Sequence, residues 1–230
     1  MMSREMTRRA LLASAALGMA GADAAQDTAA KDADKILVVG VSCSPRNGMT
    51  TATAMAAALE AAKGVDQRIT TELIDLGGMR ILGSDGNSSA QAVRETDDDF
   101  IKVLPTLDSP NLCAMIIGSP SYYRSMSSLC KAFLEKLAVF REPTMRLADV
   151  PVGALSVASN RNGGQELVIE QILMAMLSYG AVIVGGKGKG PLGATLWNAF
   201  ENDITQDELG MESARNLGIR VAEAALKYKG

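Results

Sequence analysis

Short runs of apolar residues recur along the chain, separated by longer stretches with helical spacing. Residues 36–41 form a continuous β-branched run, which is typical of a strand buried on both faces of a sheet. Further strands are predicted at 68–76, 112–118, 152–158 and 181–184. Strands that alternate with helices favour right-handed crossovers and a parallel sheet. The pattern therefore predicts one doubly wound α/β domain with a five-stranded parallel sheet in the order 2-1-3-4-5.

The segments between these strands carry apolar residues at helical spacing. The first of them is rich in alanine and ends at Gly64, a residue suited to a helix C-cap. Residues 77–96 are rich in Gly, Ser, Asp and Asn and predict a long loop, which commonly has a function. Helices are predicted at 51–63, 97–104, 127–140, 166–179 and 206–227.

The first 24 residues have the features of an export signal. Paired arginines precede an apolar stretch, and Ala22-Asp23-Ala24 has the small-x-small pattern that signal peptidases cleave. We interpret residues 1–24 as a twin-arginine-type signal and expect a periplasmic or otherwise exported protein. A frayed helix or an uncleaved anchor is the alternative, and an unused signal would leave the protein cytoplasmic. The apolar run is shorter than the roughly 20 residues of a bilayer span, so no stable membrane span is expected after signal removal.

The composition is that of an ordinary globular protein. Apolar residues make up 47% of the chain and charged residues 21%. Residues 25–34 are small and polar and predict a flexible leader, so a single domain is expected over 35–230. The net charge of −3 at pH 7 provides no basic excess that would attract nucleic acid.

Histidine is absent from the chain, and cysteine is rare. The lack of histidine excludes a histidine-based catalytic triad, histidine zinc ligands and a histidine-ligated haem. Cys43, Cys113 and Cys130 are an odd number without Cys-x-x-Cys spacing, so no metal site is predicted. We expect all three thiols to be unpaired, with Cys113 in the core.

Three polar loops follow predicted strands at their carboxyl ends: 42–50, 119–125 and 159–165. In an open parallel sheet, ligands bind beyond these ends, where the strand order reverses. The first loop precedes a helix whose N-terminal N–H groups suit a phosphate, and Arg46 adds a matching charge. It lacks the glycine patterns of nucleoside-triphosphate and dinucleotide loops. A plain capping turn is the alternative for this loop, and ordinary interface packing is the alternative for Tyr122 and Tyr123.

Each loop carries a recognisable motif. The motifs read SCSPRNGMT at 42–50, GSPSYYRSMS at 118–127 with KAFL at 131–134, and NRNGGQE at 160–166. Together they resemble the NADPH-dependent FMN reductases and iron–sulfur flavoproteins of the flavodoxin superfamily, over roughly residues 35–184. The resemblance implies a flavodoxin-like fold that carries FMN.

The family's functional residues transfer onto the three motifs. The resemblance implies that the FMN phosphate is held by Ser42, Ser44, Arg46, Asn47, Met49 and Thr50. The ribityl chain and the isoalloxazine ring would be flanked by Pro120, Ser121, Tyr122, Tyr123 and Ser125. The other side of the ring would be bordered by Asn160, Arg161, Gly163, Gly164 and Gln165. No catalytic acid or base is implied, because the flavin carries the redox chemistry.

Two features depart from the family pattern. Iron–sulfur members carry closely spaced cysteines after the second strand, whereas 77–96 contains none here. We therefore expect FMN without an iron–sulfur cluster. The Asp-Arg pair that often closes the second motif reads Glu135-Lys136, which preserves the order of charges.

The resemblance implies an enzyme that reduces a flavin, quinone or similar acceptor with NAD(P)H. An exported protein would meet little NAD(P)H, so an electron-transfer flavoprotein with a redox-protein partner is the alternative. A binding module for another phosphorylated ligand is a third hypothesis. Family members are commonly homodimers or homotetramers, and the 77–96 loop would cover the site or a subunit contact. The segment 185–191, with Lys187 and Lys189, is either a basic lip for a nicotinamide phosphate or a solvated loop.

Overall fold

A parallel sheet organises residues 34–84, 98–188 and 190–229, which the computed structural model describes. The strands are β1 (Ile36–Ser42), β2 (Ile69–Asp75), β3 (Leu112–Tyr122), β4 (Ser125–Met126), β5 (Pro151–Ala158), β6 (Val182–Ile183) and β7 (Ala194–Trp197). The helices are α1 (Thr50–Lys63), α2 (Phe100–Leu107), α3 (Ser128–Lys136), α4 (Gln165–Leu177) and α5 (Glu208–Lys229). A 3₁₀ turn, Leu137–Phe140, continues α3.

The strand order is β2-β1-β3-β5-β6, and these neighbours are all parallel. This confirms the predicted order 2-1-3-4-5. The fifth position is shared, because β6 pairs with the start of β5 and β7 pairs with its end. The prediction at 181–184 found only the first of these two pieces. The second is four residues long and follows a glycine-rich segment, so its sequence carries little strand signal.

Helices cover both faces of the sheet. On one face, α2, α3 and α4 bury residues such as Phe100, Phe133 and Ile172 against the strands. On the other face, α1 and α5 bury residues such as Met55 and Leu217. β1, β3 and β5 are therefore apolar on both sides over most of their length, as their continuous apolar runs predict, whereas β2 exposes Thr70, Glu72 and Leu73.

The two helices of the second face touch through backbone. A Cβ atom on Gly218 of α5 would lie 1.9 Å from the Ala58 carbonyl oxygen of α1. Only glycine permits this approach, so α5 packs directly against the backbone of α1 at Ala58. Since α1 follows the first polar loop, this packing also fixes the position of that loop.

Two elements show the most informative differences from the predicted boundaries. β3 continues to Tyr122 because Ser119 and Pro120 pair with β5, so the start of the predicted second loop is strand. α2 begins at Phe100 and runs past Pro105 to Leu107, whose side chain is fully buried. Most of the loop predicted at 77–96 lies outside the described residues.

The predicted signal and most of the leader, residues 1–33, also lie outside the described residues, whereas the chain from Ile36 onward forms one compact unit. Among the helices in the described ranges, none has both the length and the apolar character needed to cross a bilayer.

Candidate functional site

The three predicted loops meet at the carboxyl edge of the sheet. β1, β3 and β5 are parallel neighbours, so the segments that follow them emerge side by side. Ser121 Oγ donates a hydrogen bond to the Gly163 carbonyl at 2.6 Å. Arg124 Nη1 donates to the Asn162 carbonyl at 3.2 Å. The second and third loops are therefore joined directly, and the first loop lies one strand away.

The first loop leaves polar groups available at the start of α1. The N-cap residue is Met49, which provides no side-chain oxygen to accept the first N–H groups of the helix. Ser42 Oγ, at the end of β1, is fully buried and has no hydrogen-bond partner among the described residues. Buried polar atoms are normally paired. An orphan hydroxyl and an uncapped helix N-terminus both fit the phosphate group of FMN.

Asp75 shapes the first loop from the end of β2. Its Oδ2 accepts the Gly48 N–H at 2.6 Å, and its Oδ1 accepts the Gly77 N–H at 3.1 Å. Asn47 Nδ2 donates in turn to the Gly77 carbonyl at 3.4 Å. The carboxylate thus holds the turn in which Gly48 adopts a φ of +66°. The loop motif alone did not indicate Asp75; its register opposite Ser42 in the neighbouring strand is the signal that could have done so.

Arg46 reaches a loop that the sequence did not associate with the site. Arg46 Nη1 donates to Asn202 Oδ1 at 2.8 Å. Asn202 lies between β7 and α5, in a segment that begins with Asn198 donating its N–H to the Ala158 carbonyl at the end of β5. The missed strand β7 therefore delivers a fourth loop to the same edge. Ser44 Oγ accepts the Arg46 N–H at 3.2 Å, which fixes the backbone of the first loop.

The second loop is a tight hairpin between β3 and β4. Tyr123 and Arg124 form its tip with φ values of 52° and 66°, which non-glycine residues rarely adopt. Tyr123 is fully exposed and Tyr122 is 41% exposed. Ser125 Oγ donates to Gln171 Oε1 of α4 at 2.9 Å and anchors the hairpin. Strained backbone that is held in place in this way is often found at functional sites.

The third loop is fastened to β7. Gln165 Nε2, which is buried, donates to the Asn160 carbonyl at 2.8 Å and to the Leu196 carbonyl at 3.1 Å. The Arg161 guanidinium lies 4.1 Å from the centre of the Trp197 ring and 3.9 Å from Asp207. Such a cation–π contact orients the arginine. The Gln165 amide is engaged with backbone, so its role in the described structure is to set the shape of the loop.

The remaining predicted residues also lie at this edge. Pro120 is buried in β3, and Thr50 is buried at the start of α1. Gly164 has a φ of 90° and packs so closely that an added Cβ would be 2.8 Å from Arg124 Cα. The structure thus places the sixteen predicted site residues along one edge, either in these loops or at the adjoining ends of helices and strands.

A buried ion pair supports the segment that follows β2. Lys136 Nζ lies 2.7 Å from Asp98 Oδ2, with 11% and 4% of the two side chains exposed. Burial raises the pKa of Asp98, but the Lys136 ammonium and the Phe100 and Leu82 N–H groups outweigh it and lower that pKa below its ordinary value. Glu135 accepts the Ser84 N–H at 2.7 Å. Glu135 and Lys136 therefore contact Ser84 and Asp98, the described residues on either side of 85–97.

The cysteines are free, as predicted. The placement of Cys113 in the core was wrong, because this residue is only partly buried at the start of β3. Cys43 and Cys130 are the fully buried thiols. Within the described residues, no group of three or more Cys, Asp or Glu side chains could hold a metal ion.

Comparison with known proteins identifies the family to which the chain belongs. The family described as NADPH-dependent FMN reductase matches residues 36–188. This chain belongs to that family. An iron–sulfur flavoprotein of Methanocaldococcus jannaschii is 30% identical over 198 residues, covering 84% of this chain and 98% of that protein. An NAD(P)H dehydrogenase (quinone) of Methylocella silvestris is 32% identical over 148 residues, covering 58% of this chain and 73% of that protein.

Solved structures agree on the architecture. A WrbA-like flavodoxin from Agrobacterium tumefaciens superposes with a TM-score of 0.57 at 19% identity, covering 84% of this chain and 99% of that one. The fold of this FMN reductase family member is therefore flavodoxin-like. The family is one of flavoprotein oxidoreductases, so the chain is an oxidoreductase by membership. The orphan Ser42 hydroxyl and the uncapped start of α1 are the features of its own structure that fit the flavin phosphate.

Proposed function

We propose that this protein binds FMN on its three loops and uses NAD(P)H to reduce a quinone, a flavin or a similar acceptor. The single observation that carries the binding site is the unpartnered, buried Ser42 hydroxyl in the loop that leads to the uncapped N-terminus of α1. The quinone acceptor is supported by the relatives named NAD(P)H dehydrogenase (quinone). Bound FMN would supply the hydride-accepting and electron-donating chemistry.

Each loop would contact a different part of FMN. The first loop would donate its N–H and hydroxyl groups to the phosphate, with Arg46 as the matching charge. The exposed tyrosines of the hairpin would cover the ring, and the third loop would donate to its polar edge. The proposed FMN ligands are Ser42, Ser44, Arg46, Asn47, Met49, Thr50, Pro120, Ser121, Tyr122, Tyr123, Ser125, Asn160, Arg161, Gly163, Gly164 and Gln165.

Three further features belong to this proposal. FMN is proposed as the sole redox centre, since 77–96 contains no cysteine. A homodimer or homotetramer is proposed from the family resemblance, and export from the paired arginines of the N-terminus. Export favours a second candidate function, an electron-transfer flavoprotein that exchanges electrons with a redox protein.

Replacing Arg46 by alanine should weaken FMN binding by roughly 1–3 kcal/mol, because a charged hydrogen bond to the phosphate is lost. Fluorescence titration of FMN into the apoprotein measures this. Arg68→Ala is the matched control: its guanidinium pairs with Asp66 next to the start of β2, at the opposite edge of the sheet. Equal FMN affinity in wild type and Arg46→Ala would place the phosphate elsewhere.

The electron donor is tested by anaerobic stopped-flow mixing. For an NAD(P)H-driven reductase, the visible absorbance of the flavin should bleach within about a second of adding NADPH or NADH, as typical enzyme turnover rates predict. Reoxidation by a quinone should then restore it. Slow bleaching by both nucleotides, with fast reduction by a protein donor, would favour the electron-transfer alternative. Protein that takes up no FMN would contradict both functions.

A further inference from the structure

Cys43 and Cys130 meet beneath the first loop. Both residues are fully buried and belong to the same apolar cluster. Ser127 joins their backbones, since its Oγ donates to the Cys43 carbonyl at 2.7 Å and accepts the Cys130 N–H at 3.0 Å. The Cys130 thiol lies near enough to the Cys43 thiol to raise its pKa. The chain thus brings these two buried cysteines together where the first loop meets α3.

The third cysteine is in a different part of the fold. Cys113 lies at the start of β3 and packs against the layer that contains α1 and α5. Cys43 follows the carboxyl end of β1, which is parallel to β3, so these two residues are at opposite edges of the sheet. Among the described residues, Cys130 is therefore the thiol partner that Cys43 can reach.

We propose that Cys43 and Cys130 form a reversible disulfide that locks the first loop to α3. In this reaction the two thiols lose two electrons and two protons, and one S–S bond forms. A low-molecular-weight disulfide is the oxidant: it forms a mixed disulfide with one thiol, the second thiol displaces it, and two small thiols are released.

Burial determines the rate and the product of this oxidation. Desolvation, together with the hydrogen bond and charge of Cys130 and the charge of Asp75, raises the pKa of the Cys43 thiol well above its ordinary value. The attacking thiolate is therefore scarce, and exchange proceeds through transient opening of the loop. Once a mixed disulfide has formed, the neighbouring thiol resolves it before the small thiol can accumulate on the protein.

The disulfide would restrain the part of the chain that holds the phosphate. Cys43 stands between Ser42 and Ser44 in the first loop, and Cys130 lies in the first turn of α3. A cross-link between them closes a long loop of chain. Closing a long loop lowers the entropy of the unfolded state more than closing a short loop does. Because the cross-link also ties Cys43 covalently to α3, the oxidised protein should hold its first loop more firmly than the reduced protein.

Peptide mapping tests the disulfide directly. Trypsin places the three cysteines in separate peptides, 36–46, 103–124 and 125–131. The full chain is incubated with oxidised glutathione, alkylated in denaturant and digested without reductant. The expected product is peptide 36–46 linked to peptide 125–131, lighter by two hydrogens than the sum of the free peptides, and absent after dithiothreitol. The melting temperature of the oxidised protein should be higher than that of the reduced protein by roughly 5–10 °C.

Single replacements provide the controls. Cys113→Ser should leave the linked peptides and the rise in melting temperature unchanged, whereas Cys130→Ser should abolish both. A stable glutathione adduct on Cys43, a link to Cys113, or two free thiols after oxidation would overturn the proposal. If Cys130→Ser fails to fold, the wild-type peptide map decides alone. The mapping requires no flavin and no activity, so its outcome is independent of the proposed reductase function.

Discussion

Asp98→Asn is expected to lower the free energy of unfolding by about 3–5 kcal/mol, the cost of removing one partner from a buried ion pair. The Lys136 ammonium would remain buried without its carboxylate, at a position where 11% of its side chain is exposed. Asp98 also accepts the N–H groups of Phe100 and Leu82, so the start of α2 would be weakened as well. Urea denaturation followed by circular dichroism measures the change.

The pH dependence of this effect has a definite sign. The pKa of Asp98 is lower in the folded chain than its ordinary value, which is about 3.9 for an unfolded aspartate. The carboxylate therefore stabilises the fold above that pH, and its contribution is lost as the pH falls through the folded pKa. The stability difference between wild type and Asp98→Asn should be full at pH 7 and should shrink in acid.

An exposed ion pair and a double variant serve as controls. Lys102→Ala removes the pair with Asp99, in which 65% of the lysine side chain is exposed, and should cost less than about 1 kcal/mol. Asp98→Asn combined with Lys136→Met should cost less than Asp98→Asn alone, because no unpaired charge remains and the amide oxygen can still accept a backbone N–H group. Losses of similar size in Asp98→Asn and Lys102→Ala would show that the buried pair contributes no more than a surface pair.

Gly77→Ala is expected to reduce FMN affinity by about 100-fold or more, equivalent to roughly 2.7 kcal/mol. An added Cβ would lie 2.3 Å from the Asn47 nitrogen and 2.4 Å from the Asn47 Cα. Both atoms are backbone, so the first loop itself must move to relieve the overlap. Displaced N–H groups would no longer converge on the phosphate. Fluorescence titration of FMN gives the affinity, and the melting temperature reports whether the fold is retained.

The neighbouring glycine is a matched control. Gly78 has a φ of +79°, but an added Cβ would meet no atom within 4 Å. Gly78→Ala should therefore cost about 1 kcal/mol of stability through backbone strain and change FMN affinity by less than about threefold. Equal affinities in the two variants would show that the first loop does not hold the phosphate.

The sequence was informative where the structure depends on local pattern. The strands buried on both faces appear as continuous apolar runs, which is why β1, β3 and β5 could be predicted. The site could be predicted as an edge, because parallel strands bring the loops that follow them together. The loop motifs then narrowed the ligand to FMN through the family resemblance.

Contacts between residues far apart in the chain could not be predicted from the sequence. Asp75 sits at the end of an ordinary strand, and only the register with Ser42 makes it part of the first loop. Asn202 reaches Arg46 across 156 residues of chain, from a loop that follows an unpredicted strand. The sequence around Lys136 does not indicate that its ammonium group is buried against Asp98. Each of these depends on tertiary packing, which hydrophobic periodicity does not encode.

The divided fifth strand has a practical consequence for engineering. β6 and β7 each pair with their own part of β5, so the chain between them contributes nothing to the register of the sheet. The two ends of this connecting segment lie close together, since a Cβ on Gly185 would lie 2.1 Å from the Pro191 carbonyl oxygen. Gly188 lies between them, and a Cβ added there would meet no atom within 4 Å. A peptide tag or a fluorescent reporter inserted at Gly188 would thus have an attachment point that leaves the strand pairings and the three loops intact.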